Sequence, residues 1–471
     1  MTRPWTTVAL ILSAFWVFYN ALFSETILYF DSFGYEQLGQ LLSNNSLIEY
    51  FKTGPNREPL YPLFVCLNMK LADFLHIPYT NLILLTQGLI LLLSQRWLAA
   101  IFEEIRLSDK ITAILVLYFV ISPSILRSSL IVYSEIITYP MILAAFHLSC
   151  RAWGQLSSSQ GLVNNYIRYG FYVGLVFLPL MFTKAIFDLI FPLFLGIFTL
   201  GLCLNNRLDR TNFKKIILFS LIAYGVFLAP VLGYKMMNKI YNGNFAFTNR
   251  GSWALYGTAA KRILPTTPKE DLAQKVYVFP DKSLCDRWVG ADACEHWFYN
   301  LPNKLGLDKA SELRKQGLTE QEIDRRLVQM SLELMIKHPI KTLNGMFWEG
   351  SKLLFWEYPS WGMVILPREI RHVYEQPWGY YVFLFGINIF NLLFFLTAIG
   401  YACYRVLHLN NTQLKERLNT NYLLIVLFLI LSYMTAHSCF FLSERNALPI
   451  VPLFLILIGI VINFKKEKIG A

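Results

Sequence analysis

Five short strings in this chain set charged side chains among aromatics and proline: "YFDSFGYEQ", "NREPLYPLF", "VYSEIITYP", "FTKAIFD" and "LSERNALP". They supply Asp31 and Glu36, then Arg57, Glu58 and Tyr61, then Glu135, then Lys184 and Asp188, and last Glu444 and Arg445. Arg127 stands a few residues before Glu135. A carboxylate held beside a nucleophile can take the proton of a hydroxyl or amine as it attacks. Cations beside it can hold a phosphate and stabilise its charge as it leaves. At a membrane face, acid plus cation suits a sugar carried on a lipid phosphate, whose tail stays in the bilayer. Taken singly, each residue reads as an ordinary loop charge. The crowding of the set beside Tyr, Phe and Pro restricts movement and water, and that favours a site.

The elements that must hold these strings are apolar. The chain has 471 residues, 55% of them hydrophobic, 16% aromatic and only 15% charged. Its mean hydropathy is +0.42. The apolar residues gather in runs of about twenty, enough to cross a bilayer core as helix. No alternating strands of a transmembrane β-barrel are present. The expected fold is an all-α polytopic membrane protein. Clear spans fall at about 5–24, 80–102, 111–126, 132–150, 167–183, 186–204, 215–234, 380–404, 421–438 and 447–463, ten in all. The first is expected to be an uncleaved helix, because no small-residue cleavage site follows it. Residues 60–76 carry Asn68, Lys70, Asp73 and His76 in their second half, so they read as an interfacial helix of the first outer loop.

Loop charge supports that count. With ten spans both termini are cytoplasmic, and the inner connections carry clusters such as Arg207, Arg210, Lys214 and Lys215, or Lys465, Lys466 and Lys468. The short outer connections carry single cations, Arg127, Lys184 and Arg445. This is the positive-inside pattern, and it accounts for the net charge of +11 without nucleic acid. Under it, the charged strings collect on the outer face. The chain divides into an N-terminal transmembrane module, 1–234, with a first outer loop at 25–79, an extracytoplasmic region at 235–379, and C-terminal helices at 380–471. The outer region should be mostly helical. Thr319 and Glu322 fit a capping box, and Pro339 should break the helix that follows. Cys285 and Cys294 lie close together in that region, where a disulfide would form if it faces an oxidising compartment. No metal-ligand spacing or cofactor motif is evident, although acids such as Asp31 and Glu135 could take a divalent ion.

Several strings, in order, resemble the GT-C glycosyltransferases, in particular bacterial members of the dolichyl-phosphate-mannose protein mannosyltransferase and aminoarabinose transferase group. "FDSFGY" looks like the acidic motif after helix one. "NREPLYPLF" is similar to an Arg-Glu-Pro-Gly-Tyr-Pro string, with Leu60 where Gly is common. "SPSILRSSLIVYSEIITYP" resembles the Ser-Pro … Ser-Glu segment. "FTKAIF" stands where Thr-Arg-Pro is frequent, with Lys184 for Arg. "LSERNALPIVPLFLILI" resembles a Glu-Arg-Tyr … Leu-Pro string, with Asn446 for Tyr. "LMIKHPIKTLNGMFWEGSKLLFW" looks like the family's His-Pro helix.

The resemblance implies inverting hexosyl or pentosyl transfer from a polyprenyl-phosphate donor to a lipid, glycan or protein acceptor, on the outer face of a bacterial inner membrane. It makes Asp31 the general base, with Arg57, Glu58, Tyr61, Arg127, Glu135, Lys184, Glu444 and Arg445 around the substrates. The alternative for Asp31 is a helix N-cap. Glu36, five residues on, would point away from it on a continuous helix and find another partner. Two competing functions remain: a transporter or flippase of lipid-linked saccharide, which would show repeats and broken mid-membrane helices, and a ligase or polymerase of preassembled glycan.

Overall fold

The computed structural model describes residues 3–28, 31–54, 57–157, 163–205, 210–248, 251–268, 270–271, 290, 301–357, 364–374, 377–407, 414–440 and 444–469. Cys285 and Cys294 lie outside them. The described chain is almost wholly helical. It runs α1 (Pro4–Phe23), α2 (Asp31–Asn44), α3 (Leu47–Lys52), α4 (Leu60–Leu75), α5 (Tyr79–Glu104), α6 (Asp109–Ile121), α7 (Pro123–Ser129), α8 (Glu135–Leu156), α9 (Val163–Thr183), α10 (Phe187–Asn205), α11 (Arg210–Asn242) and α12 (Gly251–Ile263). It continues with α13 (Leu301–Lys315), α14 (Glu320–Lys337), α15 (Pro339–Lys352), α16 (Arg368–Tyr374), α17 (Pro377–Leu407), α18 (Leu414–Ser438) and α19 (Val451–Ile469).

Among the described residues, seven helices are long and apolar enough to cross a membrane, or eight if a bent pair counts as one span. This is an all-α polytopic membrane protein. The bent pair is α6 and α7, which meet at 55°, where the sequence suggests one span at 111–126. The cause is local. Pro123 pushes Ser122 out of the helical region, to φ −53°, ψ 125°, and the Ser122 hydroxyl then accepts from Ile125 N to start α7. The expected span at 132–150 is α8, buried along most of its length. The expected span at 380–404 lies in α17. Neither is among those seven.

Burial separates the centre from the rim. In Asn446–Asn463, 78% of the span is buried, against 28% in Asn212–Asn242. Exposed Phe15, Leu22 and Leu221 suit a lipid surround, which does not drive helices together as water does. Close approach does that work at α9 and α11. Gly170 and Gly174 are one turn apart, and a Cβ on Gly170 would sit 2.7 Å from the Phe219 carbonyl.

Hydrogen bonds sort the helix ends into two faces. On one face, Trp5 N and Thr6 N donate to Asp109 at 2.9 and 3.0 Å. There too Tyr422 OH donates to Glu104 (2.7 Å) and Asn463 Nδ2 to the Ile105 carbonyl (2.8 Å). On the other face lie the charged strings and the described helices of the 235–379 region. There Glu25 and Thr26 pair antiparallel with Ile365 and Val364, joining the exit of α1 to the far end of that region. The chain enters and leaves α4 on this same face: Glu58 bonds Ala185 N, and Tyr79 OH donates to Glu36 at 2.5 Å.

Helices α12, α13 and α14 form a small core of their own around Ala310, Leu313, Ile323 and Leu327. The capping box is present: Thr319 Oγ1 accepts from Glu322 N while Glu322 reaches back to Thr319 N. The break falls where Pro339 opens α15.

Candidate functional site

Helix α2 begins at Asp31, so its carboxylate stands in a first turn, where unsatisfied N–H groups favour an anion. Arg57 donates to it from Nη2. One turn along α2, the Tyr35 ring lies 5.3 Å from the same guanidinium. Its hydroxyl donates to Ser134 Oγ at 3.1 Å. Burial, reinforced by the charge of Glu58, raises the Tyr35 pKa, so the phenol keeps the proton it donates. Next to Ser134, Glu135 opens α8 and accepts from Lys184 Nζ at 3.1 Å. Next to Lys184, Ala185 donates its N–H to Glu58 Oε1 at 2.8 Å. Glu58 follows Arg57, and the circuit closes.

Three connections on one face are thus tied side by side: the loop after α1, the start of α8 and the α9–α10 turn. Exposure grades the members. The side chain of Asp31 is 24% exposed, Lys184 15% and Arg57 12%, whereas Glu135 is 2% exposed. Glu58 is buried as well. A ligand can therefore touch Asp31, Arg57 and Lys184, while Glu135 holds Lys184 and Glu58 holds the α9–α10 turn in place. Losing either cation would leave a carboxylate poorly compensated, which is strongly unfavourable when it is buried.

Residues behind the circuit fix it. The Tyr61 ring meets Tyr35 edge-on at 4.7 Å, and its hydroxyl donates to Gln87 Oε1 at 2.7 Å. Gln87 Nε2 donates to the carbonyls of Ser129 (3.1 Å) and Ile131 (2.9 Å), which stiffens the connection between α7 and α8. Tyr50 OH donates to the Arg57 carbonyl at 2.8 Å. Fully buried Tyr61 thus supports the site rather than facing its opening.

The remaining expected residues are placed as follows. Arg127 is buried in α7, 4% exposed. Glu444 and Arg445 begin a short 3-10 helix, Glu444–Ile450, packed on α7 and α8; their side chains lie outside the described part. Glu36 takes Tyr79 as partner, away from Asp31. Asp188 takes Lys235 at 2.5 Å, tying α10 to α11. Among the described residues no group of three or more His, Cys, Asp or Glu could hold a metal ion, so Asp31 and Glu135 are not joined in such a cluster.

Sequence reasoning missed Tyr35, Gln87 and Ser134. Tyr35 could have been found, since it lies four residues after Asp31 on the same helix face. Gln87 also carried a signal, as an amide at the middle of an apolar run. Glu357 was missed too. It is fully buried and accepts from Tyr118 OH (2.6 Å), Ser122 Oγ (2.5 Å) and Ser124 N (3.3 Å), which clamps the α6–α7 bend. Burial raises its pKa against those donors. Its setting, "LLFWEYP", resembles the charged strings used above.

No protein-family model matches this chain, and no curated protein compared with it matches.

Proposed function

We propose that this protein is a membrane glycosyltransferase that moves a sugar from a polyprenyl-phosphate donor to an acceptor on the extracytoplasmic face. The observation that carries the reading is the closed circuit of charged groups from three connections, with Asp31 as its most open carboxylate. In the proposed step, Asp31 accepts the proton of the acceptor hydroxyl or amine. The freed lone pair attacks the anomeric carbon from the face opposite the phosphate. The bond from that carbon to the phosphate oxygen breaks, polyprenyl phosphate leaves, and the configuration inverts. Arg57 and Lys184 would each share their charge between a carboxylate and the donor phosphate, and Arg445 is the third candidate for that contact.

The reading places the spans at ten, with α8 and α17 among them, α2 to α4 at the interface, both termini cytoplasmic, and the site facing the periplasm or exterior of a bacterial inner membrane. Loop charge asymmetry supports this orientation. Single cysteines at Asn242 and Asn205, each in a chain whose seven native cysteines are replaced, test it: an impermeant thiol reagent on intact cells should label only the first. Labelling at Asn205 would scatter the proposed site across two faces. The activity itself is tested by adding radiolabelled polyprenyl-phosphate sugars to purified protein with membrane acceptors. Label should move to an acceptor with wild type and not with Asp31→Asn. Equal transfer by both would remove Asp31 from the reaction.

A further inference from the structure

Helix α15 carries two features that the transferase reading does not use. The first is an apolar stripe. Ile336 at the end of α14 is followed by Ile340, Leu343 and Phe347 on α15, at steps of a helical face. They are 77%, 83%, 66% and 67% exposed. A row of this kind on one surface marks a contact with something apolar.

The second feature lies a quarter-turn away. Lys341, Asn344, Trp348 and Glu349 of α15, with Lys261 and Arg262 of α12, line a cavity of about 140 Å³. Its charge is out of balance. Among the described residues that line it, Lys261, Arg262 and Lys341, with Lys352 behind them, face the carboxylates Asp271 and Glu349. Lys352 pairs with Glu349 at 3.2 Å. Burial, opposed by Glu349, brings the Lys261 pKa down to about 8, so the site already strains to hold its positive charge.

Arg262 is set for an anion. Its Nη2 donates to the Ser438 carbonyl, while its buried Nε and Nη1 have no hydrogen-bond partner among the described residues. Its stem lies over Gly345, where a Cβ would come within 2.8 Å of Cδ and Nε. A guanidinium fork with donors to spare matches the oxygens of a phosphate. Ser438 also fixes the depth. It ends the apolar span Thr420–Ser438, so the cavity opens where the apolar layer stops and lipid phosphates lie.

We infer that this cavity binds the phosphate headgroup of a bilayer lipid, with Arg262 and Lys341 as anion contacts and the Ile340–Leu343–Phe347 stripe in the apolar layer beside it. Lys341 adjoins Ile340, and Asn344 adjoins Leu343, so headgroup and chain contacts alternate along one helix. This site is separate from the Asp31 circuit and needs no sugar donor.

The test uses the purified full chain in mixed micelles, titrated with dioleoyl phosphatidate or with phosphatidylcholine of the same chains, read by Trp fluorescence. Wild type should bind phosphatidate at least about tenfold more tightly, and Arg262→Gln should weaken it by roughly ten- to a hundredfold. Lys341 is exposed, so Lys341→Gln should keep the fold and still weaken binding several-fold. Phe347→Ser should weaken phosphatidate binding too, and 10 mM inorganic phosphate should not compete. The inference fails if the two lipids bind alike, or if Lys341→Gln and a folded Arg262→Gln both match wild type. It fails equally if inorganic phosphate displaces the lipid, which would make the ligand a soluble anion.

Discussion

The Asp31 circuit and the Arg262 cavity use similar side chains to opposite ends. In the circuit, two cations, Arg57 and Lys184, stand among three carboxylates, Asp31, Glu58 and Glu135, and both cations are engaged. In the cavity, among the described residues, four cations stand against two carboxylates, and Arg262 keeps two donors in reserve where Arg57 keeps one. A set in which each cation has its carboxylate holds a geometry. A set with surplus cations is stabilised by an anion in reach. The contrast assigns bond-making to the first region and capture of a charged headgroup to the second.

The largest effect expected is on the circuit. Asp31→Asn should slow transfer by roughly a hundred- to ten-thousandfold, as loss of a general base does, while phosphatidate binding at the cavity is unchanged. Single-turnover rates and lipid titration on the same preparation read both. Coupled loss of the two would erase the division between the regions.

Lys184→Ala should come next. It strands the Glu135 carboxylate at 2% exposure, and removing one partner of a buried pair costs about 3–5 kcal/mol. Thermal unfolding in detergent should show that loss, and the double variant Lys184→Ala, Glu135→Leu should recover most of it. If the single variant unfolds like wild type, the circuit is not held by its ion pairs. Donor kinetics of the protein that does fold then tell whether Lys184 also touches phosphate, by a raised KM or a lowered kcat.

The cavity responds to pH. The folded Lys261 pKa, about 8, lies below its ordinary 10.5. Between those values the unfolded chain holds a proton that the folded chain has released, so stability from this group rises with pH across that window. Phosphatidate binding should move the other way and weaken above about pH 8 as the amine discharges. Glu349, Arg262, Lys341 and Asp271 face the same space, with Lys352 paired to Glu349 beside it. Transfer by the circuit should show no step tied to this midpoint. A lipid affinity flat from pH 7 to 10 would take Lys261 out of the binding set.

The smallest effect sharpens the contrast with a control outside both regions. Thr319→Ala removes the capping box of α14 and should cost about 1 kcal/mol, with transfer and lipid binding preserved. Urea unfolding of the purified protein measures it. A larger loss would mean that α14 props one of the two regions.

Much of this architecture could be read in the chain, for reasons that are local. Apolar runs mark spans, Thr319 with Glu322 marks a helix start, and Pro339 marks a break, because each signal lies within a few residues of its effect. The charged strings also pointed to one face, since Asp31, Arg57, Glu58, Glu135 and Lys184 do come together. What could not be read were the partners. Nothing near Glu58 announces the Ala185 amide, and nothing near Arg57 says it will take Asp31 rather than Glu36. Those choices follow from helix packing, such as α2 against α4. The bend at Ser122–Pro123 was legible in principle, but a run of apolar residues on both sides masked it. The Arg262 cavity carries no comparable local signal, because Lys261, Arg262 and Lys341 sit in a polar region where charged residues are common.

The pairing of Glu25 and Thr26 with Val364 and Ile365 sets an order in time. Roughly 340 residues separate its two halves, and a ribosome adding about 5–20 residues each second needs some 20–70 s to make them. Through that interval the loop bearing Asp31 is already made, yet the segment that fastens its entry is not. The newborn loop must wait, open to its surroundings, until Val364 and Ile365 have been made.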